Sequence, residues 1–195
     1  MKKNRIIKKG LLLVTFVTSI LLITSCNNRQ QSMDTKDVAI DRNEERFDDN
    51  RQKDAQFLVN AAEINLTQIQ LGRLAQQKGV TTHVKELGKM MEDAHTQSQR
   101  DLTALAKSKM IAIPNSPTYD ARDAYNKLNE KSGNDFEKAY ADKMVDKHEE
   151  AIKAFEDAST DSYDADIKNW AIATLPVLRT NLNHSVECKK KYDEM

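Results

Sequence analysis

Four long stretches of this chain carry apolar side chains three and four positions apart, with almost no glycine or proline to interrupt them. That spacing follows the 3.6-residue turn of an α-helix and draws one apolar stripe along each stretch. The first stretch runs from about Asp48 to Lys78, with Phe57, Ala61, Ile64, Gln68, Leu71 and Ala75 on one face. The second runs from about Thr82 to Lys109 and aligns Val84, Leu87 or Gly88, Met91, His95, Ser98, Leu102 and Leu105. The third, from Asn134 or Asp135 to about Ser159, aligns Phe136, Tyr140, Met144, His148, Ile152 and Phe155. The fourth, from about Tyr163 to Tyr192, aligns Ile167, Trp170 or Ala171, Thr174, Val177 or Leu178, Asn181, Ser185 and Cys188. Strict alternation of apolar and polar residues is absent, so no sheet is expected.

The breaks between these stretches are punctuated. Gly79 closes the first as a C-cap glycine, and threonines precede the second as N-caps. Pro114 bars further helix after Lys109, and Ser116-Pro117 reads as a cap followed by proline at the first helical position. A short helix is expected from Pro117 to Lys131, with Tyr119, Ala124, Tyr125 and Leu128 as contacts, ended by Gly133. Thr160 to Ser162 form a polar bend, and Pro176 is expected to kink the last helix. Long helices with one apolar stripe bury those stripes against each other. The expectation is an all-α fold: an antiparallel four-helix bundle with a short extra helix in the crossover between the second and third long helices.

The front of the chain is different. Met1 to Lys9 are rich in lysine and arginine, and Gly10 to Ile23 form an apolar run of about 14 residues. A basic start, an apolar middle and a small-residue exit make a secretory signal. The run is shorter than the roughly 20 residues needed to cross a bilayer. The stretch Leu22 to Cys26 resembles the lipobox read by the bacterial lipoprotein peptidase. That resemblance implies lipid on Cys26 and cleavage before it; an uncleaved anchor, or a plain signal with a chance cysteine, are the competing readings. On this reading residues 1–25 are the signal, 26–47 the lipidated cysteine and a flexible hydrophilic linker, and 48–192 the bundle.

Without residues 1–25 the chain carries 25 basic against 30 acidic side chains. It has no basic surplus to draw it onto nucleic acid. With Cys26 lipidated, only Cys188 is left, so no intramolecular disulfide is expected. There is no glycine-rich phosphate loop, no Cys-x-x-Cys and no nucleophile elbow. His83, at the start of the second long helix, reads as a surface histidine.

Each apolar stripe contains one polar residue near its middle: Gln68, His95, His148 and Asn181. At about 1.5 Å per residue the four fall at similar depth in a bundle. Buried polar groups need partners, so these four are expected to meet. Two readings follow: a hydrogen-bonded layer that sets helix register, or a weakly bound divalent metal on the imidazoles. Glu92 and His95 form one Glu-x-x-His pair of the kind that builds di-iron sites in bundles. The matching position before His148 is Val145, so the second such pair is missing.

The segments Phe57-Leu58-Val59-Asn60-Ala61-Ala62, Leu71-Gly72-Arg73-Leu74-Ala75, Val84-Lys85-Glu86-Leu87, Met90-Met91 and His95-Thr96 follow one another in a specific order. Leu102, Leu105-Ala106, Phe136, Tyr140, Met144-Val145, His148-Glu149, Phe155-Glu156 and Thr174-Leu175-Pro176-Val177-Leu178-Arg179 continue it. Together they resemble the DUF4142 family of bacterial exported proteins, often labelled outer membrane proteins, over roughly Asp54 to Val186. The resemblance implies a ferritin-like helical bundle. It also implies a glutamate where this chain has Gln68, an aspartate where it has Ala94, and a histidine where it has Asn181. His95 and His148 are kept. The expected protein is a lipid-anchored envelope protein, on the outer membrane and facing the periplasm. Its bundle is expected to be non-catalytic, with no cofactor and with an envelope protein as partner. The alternative is a metal-binding or ferritin-like redox protein that uses the central layer.

Overall fold

The computed structural model describes residues 33–193, which belong to one compact unit. Six helices follow in order: α1 Thr35–Glu44, α2 Asp49–Lys78, α3 Thr82–Lys109, α4 Tyr119–Asn129, α5 Gly133–Asp161 and α6 Ala165–Asp193. The described residues contain no strand. No helix among them is long and apolar enough to cross a membrane.

The four long helices, 28 to 30 residues each, pair as two hairpins, α2 with α3 and α5 with α6. The hairpins meet through α2 against α5 and α3 against α6. Two buried carboxylates mark the ends. Glu137, at the start of α5, accepts hydrogen bonds from Val80 N and Thr81 N in the α2–α3 turn. Asp54, at the start of α2, accepts from Tyr163 N and Asp164 N in the α5–α6 turn. The long helices therefore run up, down, down, up. The parallel α3 and α5 require the chain to return the full length of the bundle between them; residues 110–118 cover the first half, and α4 the second, running along α2 from Glu63 to Lys78.

Capping explains where the helices begin. Asp48, Thr81 and Thr118 each turn a side-chain oxygen back to a first-turn N–H of α2, α3 and α4. The start of α4 corrects the sequence reading. Thr118 is the cap, so Ser116-Pro117 lies ahead of the helix, and Tyr119 is 67 % exposed and makes no core contact. Gly79 ends α2, but at φ −55°, so left-handed freedom is not what the turn requires. Space is: a Cβ there would lie 2.6 Å from Ala75 O. The left-handed position falls instead on Met110, at φ 59°, after α3.

The segment read as flexible linker through residue 47 instead carries α1, held at both ends. Asp34 Oδ1 caps α1 at Lys36 N while its Oδ2 accepts from Tyr119 N, so one carboxylate serves two helix starts. Asn43 both donates to Ala112 O and accepts from Ala112 N, each at 2.8 Å. Phe47 is buried, with the Arg51 guanidinium 4.2 Å from its ring centre. The helix buries little apolar surface, only Ala39 and its polar neighbour Asn43. Polar bonds rather than an apolar stripe tie it down.

Packing is closest between α2 and α3. A Cβ on Gly72 would stand 2.5 Å from Gly88 O, and one on Gly88 2.7 Å from Gly72 O. Only hydrogen at both positions lets the backbones touch. Pro176 lies within a continuous α6. It and Ile172 are exposed, so the carbonyl that the missing N–H leaves free lies on the solvent side of the helix.

Candidate functional site

The apolar core is divided in two. One half joins Leu58, Leu102, Phe155, Ile167 and Leu178; the other joins Leu71, Met91, Phe136, Tyr140 and Met144. Between them lie the polar residues that interrupt the stripes. Gln68, His95, His148 and Asn181 are all at most 3 % exposed. The i, i+3, i+4 spacing turns each inward, on α2, α3, α5 and α6 respectively.

Their bonding differs from a four-way meeting. The direct contact is between the histidines: His95 Nε2 lies 3.4 Å from His148 Nε2, with the rings 5.5 Å apart and inclined at 61°. His148 Nδ1 donates to Met144 O at 2.8 Å. His95 Nδ1 lies 2.8 Å from Asn65 Oδ1, and Asn65 Nδ2 is 3.1 Å from Ser98 Oγ. Asn65 is the α2 partner of the pair, one helical turn before Gln68. Neither Gln68 nor Asn181 bonds to a histidine: the Gln68 Oε1 and Nε2 and the Asn181 Nδ2 are buried without a partner, as is the Tyr140 hydroxyl. Ser185 Oγ donates to Asn181 O.

Glu92 stands apart from the layer. Its carboxylate accepts from Arg73 Nε and Gln76 Nε2, both at 2.7 Å, on the outer side of the α2–α3 pair. These two bonds hold its pKa below the ordinary value. The Glu-x-x-His spacing therefore does not bring Glu92 to His95: Glu92 stands at the rim of the stripe, where Arg73 and Gln76 hold its carboxylate. Glu149 and Glu187 are exposed, as is His83. Cys188 is buried, and burial pushes its thiol up to about 11, so it stays protonated at neutral pH. Cys26 lies outside the described residues.

The proton positions follow from the partners. A carbonyl only accepts, so His148 carries its proton on Nδ1 and turns an Nε2 lone pair toward His95. With Asn65 Oδ1 facing it, His95 also holds its proton on Nδ1 and presents a second lone pair. Two lone pairs 3.4 Å apart repel unless a proton or a cation lies between them. Turning the Asn65 amide over gives the other state. Ser98 then donates to Asn65, Asn65 to His95 Nδ1, and His95 Nε2 to His148, a closed relay with every member satisfied. Burial pushes His95 down to about 3, with the neighbouring His148 adding to the shift, and burial likewise lowers His148. Both rings are neutral at pH 7.

A dinuclear centre does not fit these residues. Bundles hold such centres with four carboxylates and two histidines, whereas among the described residues no carboxylate reaches the layer. Among the described residues no three His, Cys, Asp or Glu side chains gather as a metal site. A single borderline ion fits better. Neutral imidazole nitrogens at about 2.0–2.1 Å from a tetrahedral zinc stand about 3.4 Å apart. Gln68, Asn181 and Tyr140 offer only weak, neutral oxygen donors in addition.

An all-helical bundle with two apolar halves and a buried histidine pair between them is thus the class of protein defined here. The chain belongs to the DUF4142 family: the family model, described as a domain of unknown function, matches residues 42–187. No curated protein and no solved structure matches it.

Proposed function

We propose that this chain is an exported lipoprotein, anchored by lipid on Cys26, whose bundle is a non-catalytic component of the bacterial envelope. Its basic, then apolar, then small-residue front supports export and lipidation. Asn27 after Cys26, in place of the aspartate associated with inner-membrane retention, and the usual label of the family favour the outer membrane with the domain facing the periplasm. The up, down, down, up order is that of a ferritin-like bundle. A protein of the envelope is the partner this anchorage suits. One observation carries the non-catalytic reading: among the described residues the histidines are the imidazole pair of the central layer, and both are buried and hydrogen-bonded at Nδ1. A general base must reach the proton it removes, and a substrate cannot reach these rings. Labelled palmitate fed to expressing cells should enter the wild-type chain and not Cys26→Ala. Equal labelling of both would overturn the anchor.

A second reading rests on the facing Nε2 atoms: His95 and His148 hold one divalent ion, with Lewis acidity or storage as its contribution. Metal content of the chain from residue 33 onward, followed by titration with zinc and copper, tests it. A stoichiometric ion lost in His95→Ala and in His148→Ala supports it. Metal-free protein whose melting temperature ignores added ions removes it.

A further inference from the structure

Between α5 on one side and α1 and α4 on the other, a cleft of about 590 Å³ lies over α2. Small-ligand sites occupy roughly 300–1,000 Å³. Ile64, Ala124, Leu128, Ala139 and Ala154 give it an apolar lining in which three alanines leave room. Gln68 also lines it. That side chain is 1 % exposed, and neither its oxygen nor its nitrogen has a partner. A buried amide with both ends unmet costs a few kcal/mol. What satisfies it must donate and accept side by side, as another amide does.

The charges along the cleft are ordered. Three pairs neutralise one another: Lys36 with Glu63, Lys127 with Asp123, and Lys147 with Glu150. Lys131, Lys143 and Asp120 enter no ion pair among the described residues. α4 starts beside Glu63, where Thr118 donates to its carboxylate, and ends beside Lys78, which donates to Asn129 O. Asp120 therefore lies toward the Glu63 end and Lys131 toward the Lys78 end. Lys143 precedes His148 on the descending α5, so it shares the end of Lys131. One end of the cleft offers two free ammonium groups, the other a free carboxylate. The separation of Asp120 and Lys131 is about 16 Å at 1.5 Å per helical residue. Lysine reach reduces that to the span of about four extended residues.

We propose that this cleft binds a short zwitterionic peptide, its carboxylate between Lys131 and Lys143, a backbone amide against Gln68, and its ammonium at Asp120. The inference uses neither histidine and is independent of the metal reading.

Isothermal titration of the full chain in detergent with tetraalanine tests it. Tetraalanine should bind, and N-acetyl-tetraalanine amide, which lacks both end charges, should bind at least about tenfold more weakly. Gln68→Leu and Lys143→Glu should each weaken tetraalanine by about tenfold or more, and His95→Gln should not. Lys143 is part-exposed at the cleft mouth and outside the core, so Lys143→Glu keeps the test valid if Gln68→Leu fails to fold. No heat with tetraalanine overturns the proposal. So does equal binding of the capped peptide, or binding that Lys143→Glu leaves unchanged.

Discussion

Two buried polar regions of this bundle are built on opposite terms. At one end, Glu137 is 2 % exposed and accepts from Val80 N, Thr81 N, the Thr81 hydroxyl and the Tyr192 hydroxyl. Burial alone would raise its pKa, but the bonds from Thr81, Tyr192 and Val80 outweigh that and hold it below the ordinary value. Midway along, Gln68, Asn181 and Tyr140 are equally buried and leave four polar atoms unmet. The clamp is completed by its own chain; the middle is not. A carboxylate that ties α5 to the α2–α3 turn and to α6 is explained by folding alone. Amides beside a histidine pair and a cleft that no side chain meets are not explained by the folded chain's own hydrogen bonds.

The largest expected effect is at the clamp. Glu137→Ala strands two backbone N–H groups and should cost about 4 kcal/mol in urea unfolding. A loss under 1 kcal/mol would mean that water replaces the carboxylate and that the contrast is false. Next comes pH. Folded His95 sits near 3 and an unfolded histidine near 6.5, so below pH 6.5 the unfolded chain takes up a proton that the folded chain refuses. Stability then falls with pH through that window, by about 2 kcal/mol at pH 5 from His95 alone. Glu137 behaves the other way round. Its depressed pKa adds stability that is complete above the ordinary glutamate value and lost only as pH falls through the lower, folded one. Between pH 7 and 5 the middle should weaken while the clamp holds. Replacing both histidines by glutamine should flatten the decline in the urea midpoint; an undiminished decline would place its cause elsewhere.

The smallest effects should be in the unmet groups. Tyr140→Phe removes a hydroxyl without a partner and should change stability by less than about 0.5 kcal/mol. Gln68→Leu should be neutral or stabilising by about 1 kcal/mol. A clear loss in either variant, read from the thermal midpoint, would show that these atoms are satisfied by ordered water and that the middle is as complete as the clamp.

Much of this was legible in residue spacing. The inward turn of Gln68, His95, His148 and Asn181 follows from their places in four stripes. The bonding within the layer was not: Asn65 lies one turn from Gln68, and nothing in its spacing separates a histidine partner from a residue of the second buried row. Glu92 misled because a three-residue step leaves an offset of about 60° around the helix, and from the centre of the buried stripe that offset reaches its rim, where Arg73 and Gln76 take the carboxylate. Helix α1 is not legible in the spacing because its few apolar residues draw no stripe; its anchors Asp34 and Asn43 find partners far along the chain, at Tyr119 and Ala112, and Phe47 after it joins the core half that holds Leu58 and Phe155.

The sequence by itself determined four long helices, the depth of a polar layer across them and the breaks between them, because helix periodicity and capping act over three or four neighbours. The tertiary structure alone decided which polar groups bond and which stay unmet, that Glu137 and Asp54 hold the turns of each other's hairpins, and that a cleft remains over Gln68. Those outcomes depend on distances between helices set by packing, such as the Gly72–Gly88 contact, and no local pattern encodes them.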